Sequence, residues 1–184
     1  MTVVTFSFEF GSSGNIQKVG TTYTPSLGSV ACKIEKLILS GNEKRAMFNF
    51  DTKTIPDCKK ITKVEFKPAD RGIQPVNQPS GFVISLGDFI GSSLDGNAGE
   101  YDGGDVVITK TTLTDLVFID LSDDGRDPTT LINKSGYTAV SIKGQYGGRT
   151  DAGHNYNRPR EKCELRVTFE SDTRAGIARV SGNP

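Results

Sequence analysis

A single histidine bounds the proton-transfer and nucleophilic chemistry open to this chain. His154 lies in the polar run Gly147-Gly148-Arg149-Thr150-Asp151-Ala152-Gly153-His154. Any Ser-His-Asp or Cys-His apparatus would have to use it. No Gly-x-Ser-x-Gly elbow accompanies it, since Gly11-Ser12-Ser13-Gly14 has the wrong spacing. One imidazole also cannot supply a histidine-rich zinc or iron centre. His154 therefore reads as a solvated loop residue.

Oxygen ligands and ring faces are the remaining chemistry. Asp120-Leu121-Ser122-Asp123-Asp124-Gly125 offers oxygens at its first, third and fifth positions (Asp120, Ser122, Asp124) and glycine at the sixth, the opening of a calcium loop. The twelfth position is Leu131, where a bidentate glutamate is needed, and Asp120 continues an apolar strand, so a chance match is the favoured reading. A second acidic loop (Asp95, Asn97, Glu100, Asp102, Asp105) lacks the pattern but has oxygens for a hard cation. Glycoside hydrolysis needs two carboxylates across a sugar, and no pair stands out. Tyr146, Arg149, His154 and Tyr156 fall in one expected loop, where they could hold a glycan or simply pack the loop down. No phosphate-cradling Gly-x-x-x-x-Gly-Lys motif occurs.

Strands must position all of these. Phe6, Phe8 and Phe10 alternate with polar residues, as do Ala46, Phe48 and Phe50 within Arg45–Asp51. Cys163, Leu165, Val167 and Phe169 face one way, and Glu164, Arg166 and Thr168 the other. Further strands are expected around 34–39, 61–66, 82–86, 106–108, 117–121 and 139–142. The stretch from Gly11 to about Ser29 reads as irregular, Gly91–Gly104 as a long surface loop, and Thr129–Lys134 as a short helical turn. The result is an all-β fold, an antiparallel β-sandwich of about eight or nine strands with long loops. One domain is expected over 1–170, with a polar tail over 171–184.

Composition agrees. Twenty-one glycines and eight prolines supply the turns such a fold needs. The 22 basic and 22 acidic residues balance, leaving no basic excess for a nucleic acid. No apolar run is long enough to span a membrane, and no export signal opens the chain. Cys32, Cys58 and Cys163 are odd in number and not in Cys-x-x-Cys spacing, which suits reduced structural thiols.

Two blocks carry a resemblance. Arg45-Ala46-Met47-Phe48-Asn49-Phe50-Asp51, Ile55-Pro56 and Ile61-Thr62-Lys63-Val64-Glu65-Phe66 form the first. Phe118-Ile119-Asp120-Leu121, Gly136-Tyr137-Thr138-Ala139-Val140-Ser141-Ile142, Asn157-Arg158-Pro159 and Leu165-Arg166-Val167-Thr168-Phe169 form the second. In order and type these resemble the two halves of DNRLRE-type domains. That resemblance implies a jelly-roll-like sandwich, found mostly in surface-exposed and extracellular proteins beside carbohydrate-active modules.

The expectation is a non-enzymatic structural or binding module, needing no cofactor beyond an optional calcium ion. Its expected setting is a virion assembled in the host cytoplasm, as a bacteriophage decoration or fibre-associated protein whose partner is a capsid or fibre subunit. Self-association is left open. The alternative is a carbohydrate-binding or adhesin module of a larger secreted surface protein, with a surface glycan as ligand and an extracellular or cell-surface setting. Neither reading invokes a nucleic acid or a membrane.

Overall fold

A strand that alternates apolar and polar side chains hides one face and wets the other, so two such sheets close on each other. The computed structural model describes residues 1–7, 13–27, 31–37, 41–68, 80–110, 116–122, 127–145, 152–157 and 163–171, with the side chains of 31–33, 35–37 and 152–157 outside that description. Among the described residues, twelve strands run in chain order: β1 (Thr2–Ser7), β2 (Gly14–Val19), β3 (Thr22–Leu27), β4 (Ala31–Leu37), β5 (Asn42–Asp51), β6 (Ile61–Lys67), β7 (Gly81–Gly87), β8 (Asp105–Lys110), β9 (Ile119–Asp120), β10 (Tyr137–Gln145), β11 (Ala152–Asn157) and β12 (Glu164–Phe169). A short helix α1 (Ala98–Asp102) precedes β8, and a 3-10 turn spans Pro128–Thr130.

They form two antiparallel sheets. The smaller has the order β1-β12-β6-β9; the larger runs β11-β4-β5-β10-β7-β8, with β2 joined to β5 and β3 to β2. Between them lies the main core, in which Phe48 and Phe50 of β5 meet Phe66 of β6, along with Ile84, Leu86, Val140, Ile142, Leu165 and Val167. The rings of Phe48 and Phe66 are 5.7 Å apart, and those of Phe50 and Phe66 6.4 Å apart edge-on, spacings at which aromatic pairs attract. The all-β sandwich expected from the sequence is thus the architecture observed, and the inward faces of β5 and β12 are the expected ones.

Three strands exceed the expectation. β2 and β3 form a hairpin in the stretch read as irregular, closed by Gly20, whose φ of +58° suits glycine. Their sequences hide the strand because Ile16 is the one apolar side chain of β2 in a core cluster, and Pro25 breaks the pattern of β3. β11 occupies part of the expected glycan loop and pairs with β4. Backbone hydrogen bonding, which side-chain pattern does not report, holds such strands in place. Phe8 and Phe10 lie outside the described residues.

Gly91–Gly104 also differs from a plain surface loop. Residues 88–104 fold back over the outer face of the large sheet and build a second core, where Ile90, Leu94 and Tyr101 pack on Ile16, Met47 and Ala139. Among the described residues, no helix is long and apolar enough to cross a membrane.

Candidate functional site

The two outward sheet faces are chemically different. On the small sheet, the register aligns Arg166 of β12, Glu65 of β6 and Asp120 of β9 in one row. Arg166 donates to both oxygens of Glu65, at 2.8 and 2.7 Å, and its guanidinium lies 3.8 Å from the Phe118 ring centroid. Lys63 sits 3.0 Å from Glu65 and 3.3 Å from Asp120, and Lys67 pairs with Glu164. Glu65 is nearly buried; the Arg166 hydrogen bonds, supported by Lys63, hold its carboxyl below the ordinary glutamate value. This face has its charges paired within itself.

The large sheet presents a groove instead. Because Ala46, Ile84 and Ile142 face the core, the intervening positions face outward: Glu43 and Arg45 on β5, Ser141 and Lys143 on β10, Val83 and Ser85 on β7. With Val106 of β8 and Asp102 of α1 they line an open cavity of about 720 Å³. The cross-strand register places Ser141 between Met47 and Ser85, and Ser85 beside Val106.

One wall of the groove is the folded-back segment, pinned to the sheet at both ends. Asn49 donates through Nδ2 to the Gly91 carbonyl at 2.8 Å. Arg45 donates through Nη1 to the Tyr101 carbonyl at 2.6 Å, lies 3.1 Å from Asp102, and stacks 4.0 Å above the Tyr101 ring. Between these pins, Glu100 accepts from the amides of Asp95, Gly96 and Asn97, while Asn97 caps α1 by accepting from the Glu100 amide. Gly96 has φ +77°, and a Cβ there would stand 2.2 Å from Pro25 Cδ, so only glycine lets the hairpin and the segment meet.

Charges in the groove nearly cancel. Glu43 faces Arg45 Nε at 3.7 Å and Lys143 at 3.9 Å, distances of ion pairing longer than a hydrogen bond. Glu43 Oε1, Arg45 Nε and the Tyr101 hydroxyl are buried polar atoms with no hydrogen-bond partner among the described residues. Burial, with the Glu43 carboxylate beside it, pushes the Tyr101 phenol well above its ordinary value, so it stays a neutral hydroxyl.

Of the residues singled out in the sequence, Asp102 lines the groove and Asp120 lies on the small sheet. Asp120 accepts from the Ser122 amide and hydroxyl at 3.0 and 2.6 Å and pairs with Lys63, so its oxygens already have partners. Burial raises its pKa, but the Ser122 and Lys63 contacts leave it below the ordinary aspartate value. Asp124 lies outside the described residues, as do Tyr146 and Arg149. His154 and Tyr156 are on strand β11, opposite Ile34 and Cys32 of β4, and not on a loop. Among the described residues, no three His, Cys, Asp or Glu side chains converge on a metal position. Of the second acidic set, Asn97 and Glu100 form the capping box and Asp102 pairs with Arg45. Cys58 is an exposed free thiol, and Cys163 is buried in the main core.

A further hollow of about 560 Å³ lies beside Gly87 and Gly104, lined by Asp57, Asp88, Phe89 and Lys134 among others. Lys134 there donates to the carbonyls of Asp57 and Lys59, which bridges the 57–59 turn to the chain entering β10. Sequence reading missed Glu43, Arg45 and Lys143 as a group. The outward parity of Arg45 was the available signal; their meeting with Asp102 was not. The sequence matches no family model and shows no significant similarity to a curated protein.

Proposed function

We propose that this chain is a non-enzymatic structural module that docks through the groove on its large sheet, and that its setting is a virion surface, as a bacteriophage decoration or fibre-associated protein. The observation that carries the docking is the groove itself, an open, mostly polar cavity of about 720 Å³ laid across β5, β10, β7 and β8 and walled by Asp102 of the folded-back segment. Binding without chemistry is supported by the groove's charge pattern. Its carboxylates, Glu43 and Asp102, lie against Arg45 and Lys143, so each charge in it faces an opposite one within the same wall. Among the described residues, neither histidine nor cysteine lines it. A sandwich core beneath the groove makes it a rigid platform, as recognition on a particle surface demands.

The serine, glutamine and balanced ionic lining also favours a second reading, a glycan-binding or adhesin module of a larger surface protein, because polyhydroxyl ligands exchange hydrogen bonds with such groups. One pair of measurements separates the two. Quantitative mass spectrometry of purified particles from the source should find the chain in symmetry-matched copy number, and Ser85→Arg, which fills the groove, should abolish incorporation while leaving the circular dichroism spectrum unchanged. Absence from particles, together with groove-dependent retention on one defined glycan, would replace the virion reading with the second. Wild-type behaviour of Ser85→Arg in both measurements would remove the groove from either.

A further inference from the structure

A sheet edge exposes a row of unpaired backbone N–H and C=O groups, and proteins usually blunt it with charge, proline, a bulge or brevity. Three edges here follow that rule. β9 is two residues long; β3 carries Pro25; β8 is bounded by Asp105 and Lys110 and pairs with β7 through a register shift at Ile84/Ser85.

β1 does not. Its six residues, Thr2-Val3-Val4-Thr5-Phe6-Ser7, contain no charge, proline or glycine. It pairs with β12 in unbroken register from Thr2 to Ser7, and among the described residues no strand pairs with its other edge. Thr2, Val4 and Phe6 are half-buried or buried, while Val3 is 57% exposed and Thr5 and Ser7 are exposed. The neighbouring charges on that face, Arg166, Glu65, Lys63 and Asp120, are paired with one another, so the edge attracts neither an acidic nor a basic partner.

We propose that β1 is a self-association edge: two copies of this chain pair their β1 strands antiparallel about a two-fold axis, joining the two small sheets into one continuous sheet. A neutral, β-branched strand is its own best complement, because an isologous contact sets the same residues against each other and here meets no like charge. A two-fold axis normal to the sheet keeps inward residues inward. Val3 then stands opposite Val3 or Thr5 of the second copy, and Val4 opposite Val4 or Thr2. Edge pairing alone buries little area, so the dimer is weak and concentration-dependent. It is independent of the groove, which lies on the other sheet.

Sedimentation velocity of the full chain over a concentration series tests it, with Val3→Lys/Thr5→Lys as the edge-charged variant and Thr5→Val as the neutral control. The expected result is a monomer–dimer equilibrium in wild type and Thr5→Val, and a monomer of unchanged melting temperature in the lysine variant. Hydrogen exchange on wild type gives a second reading that does not depend on a variant folding: residues 1–7 should gain protection as concentration rises. A wild type that stays monomeric, a dimer indifferent to the lysines, or exchange in 1–7 that ignores concentration would each overturn the proposal. A monomer that dimerises through β1 only after truncation at Ser171 would assign the edge to residues 172–184 instead, and equally overturn it.

Discussion

Glu65 shows how much one side chain can carry on an outward face. It is 7% exposed, yet it is charged and bonded twice by Arg166. Its folded pKa is lowered, chiefly by those hydrogen bonds. It therefore contributes stability that is present above the unfolded glutamate value and lost as pH falls through the lower folded one. Glu65→Gln should cost about 1–2 kcal/mol at neutral pH, the scale of a charged hydrogen bond to a partly exposed guanidinium. The gap to wild type should close as denaturant titrations move from pH 7 to about pH 3. A gap independent of pH would place the loss in packing. Tyr101 gives the opposite case. Its ring makes a tilted contact with Tyr23 at 5.3 Å and takes the Arg45 guanidinium over it at 4.0 Å, and its hydroxyl has no hydrogen-bond partner among the described residues. Tyr101→Phe should thus change the melting temperature little, whereas Tyr101→Ala should cost about 3–5 kcal/mol by opening the second core.

Among elements, the folded-back segment 88–104 has the most to lose from small changes. Its short helix is too brief to persist alone, so the capping box, the Asn49 and Arg45 pins and the Gly96–Pro25 contact hold it. Glu100→Ala removes acceptors from three amides and should cost about 1–3 kcal/mol. The loss should show as faster amide exchange confined to 88–104, because the amides that Glu100 binds lie in that segment. Gly96→Ala forces an L-residue to φ +77° and a methyl into the Pro25 ring. It should destabilise by more than the ~1 kcal/mol of an uncrowded glycine replacement. Exchange spreading equally through β5 and β10 would show that the segment and the sandwich unfold together.

At the scale of the whole molecule, an aromatic junction ties the two sheets together. Phe66 of the small sheet meets both Phe48 and Phe50 of the large one, and all three are fully buried. Phe66→Ala should cost about 3–5 kcal/mol, a large share of the 5–15 kcal/mol typical of a domain. Its melting temperature should fall far more than that of any single groove substitution. This contrast separates the molecule into a platform and the surface built on it. It also keeps the Ser85→Arg test interpretable, since that residue faces away from the junction.

Strand identity was legible wherever one face is apolar. Ala46, Phe48 and Phe50, or Leu165, Val167 and Phe169, announce their burial through a period of two, and that period survives whatever strand lies alongside. The sandwich was legible for the same reason. β2, β3 and β11 were not, because strands whose sequences carry few apolar side chains are held by backbone pairing, and side-chain types do not record which backbone a strand will find. The groove was beyond local pattern altogether. Arg45 meets the Tyr101 carbonyl 56 positions away, and Glu43, Ser85, Asp102 and Lys143 share one hollow only because β5, β10, β7 and α1 were brought side by side. Periodicity alone settles which way a side chain points; what it points at depends on strand order, which long-range pairing decides.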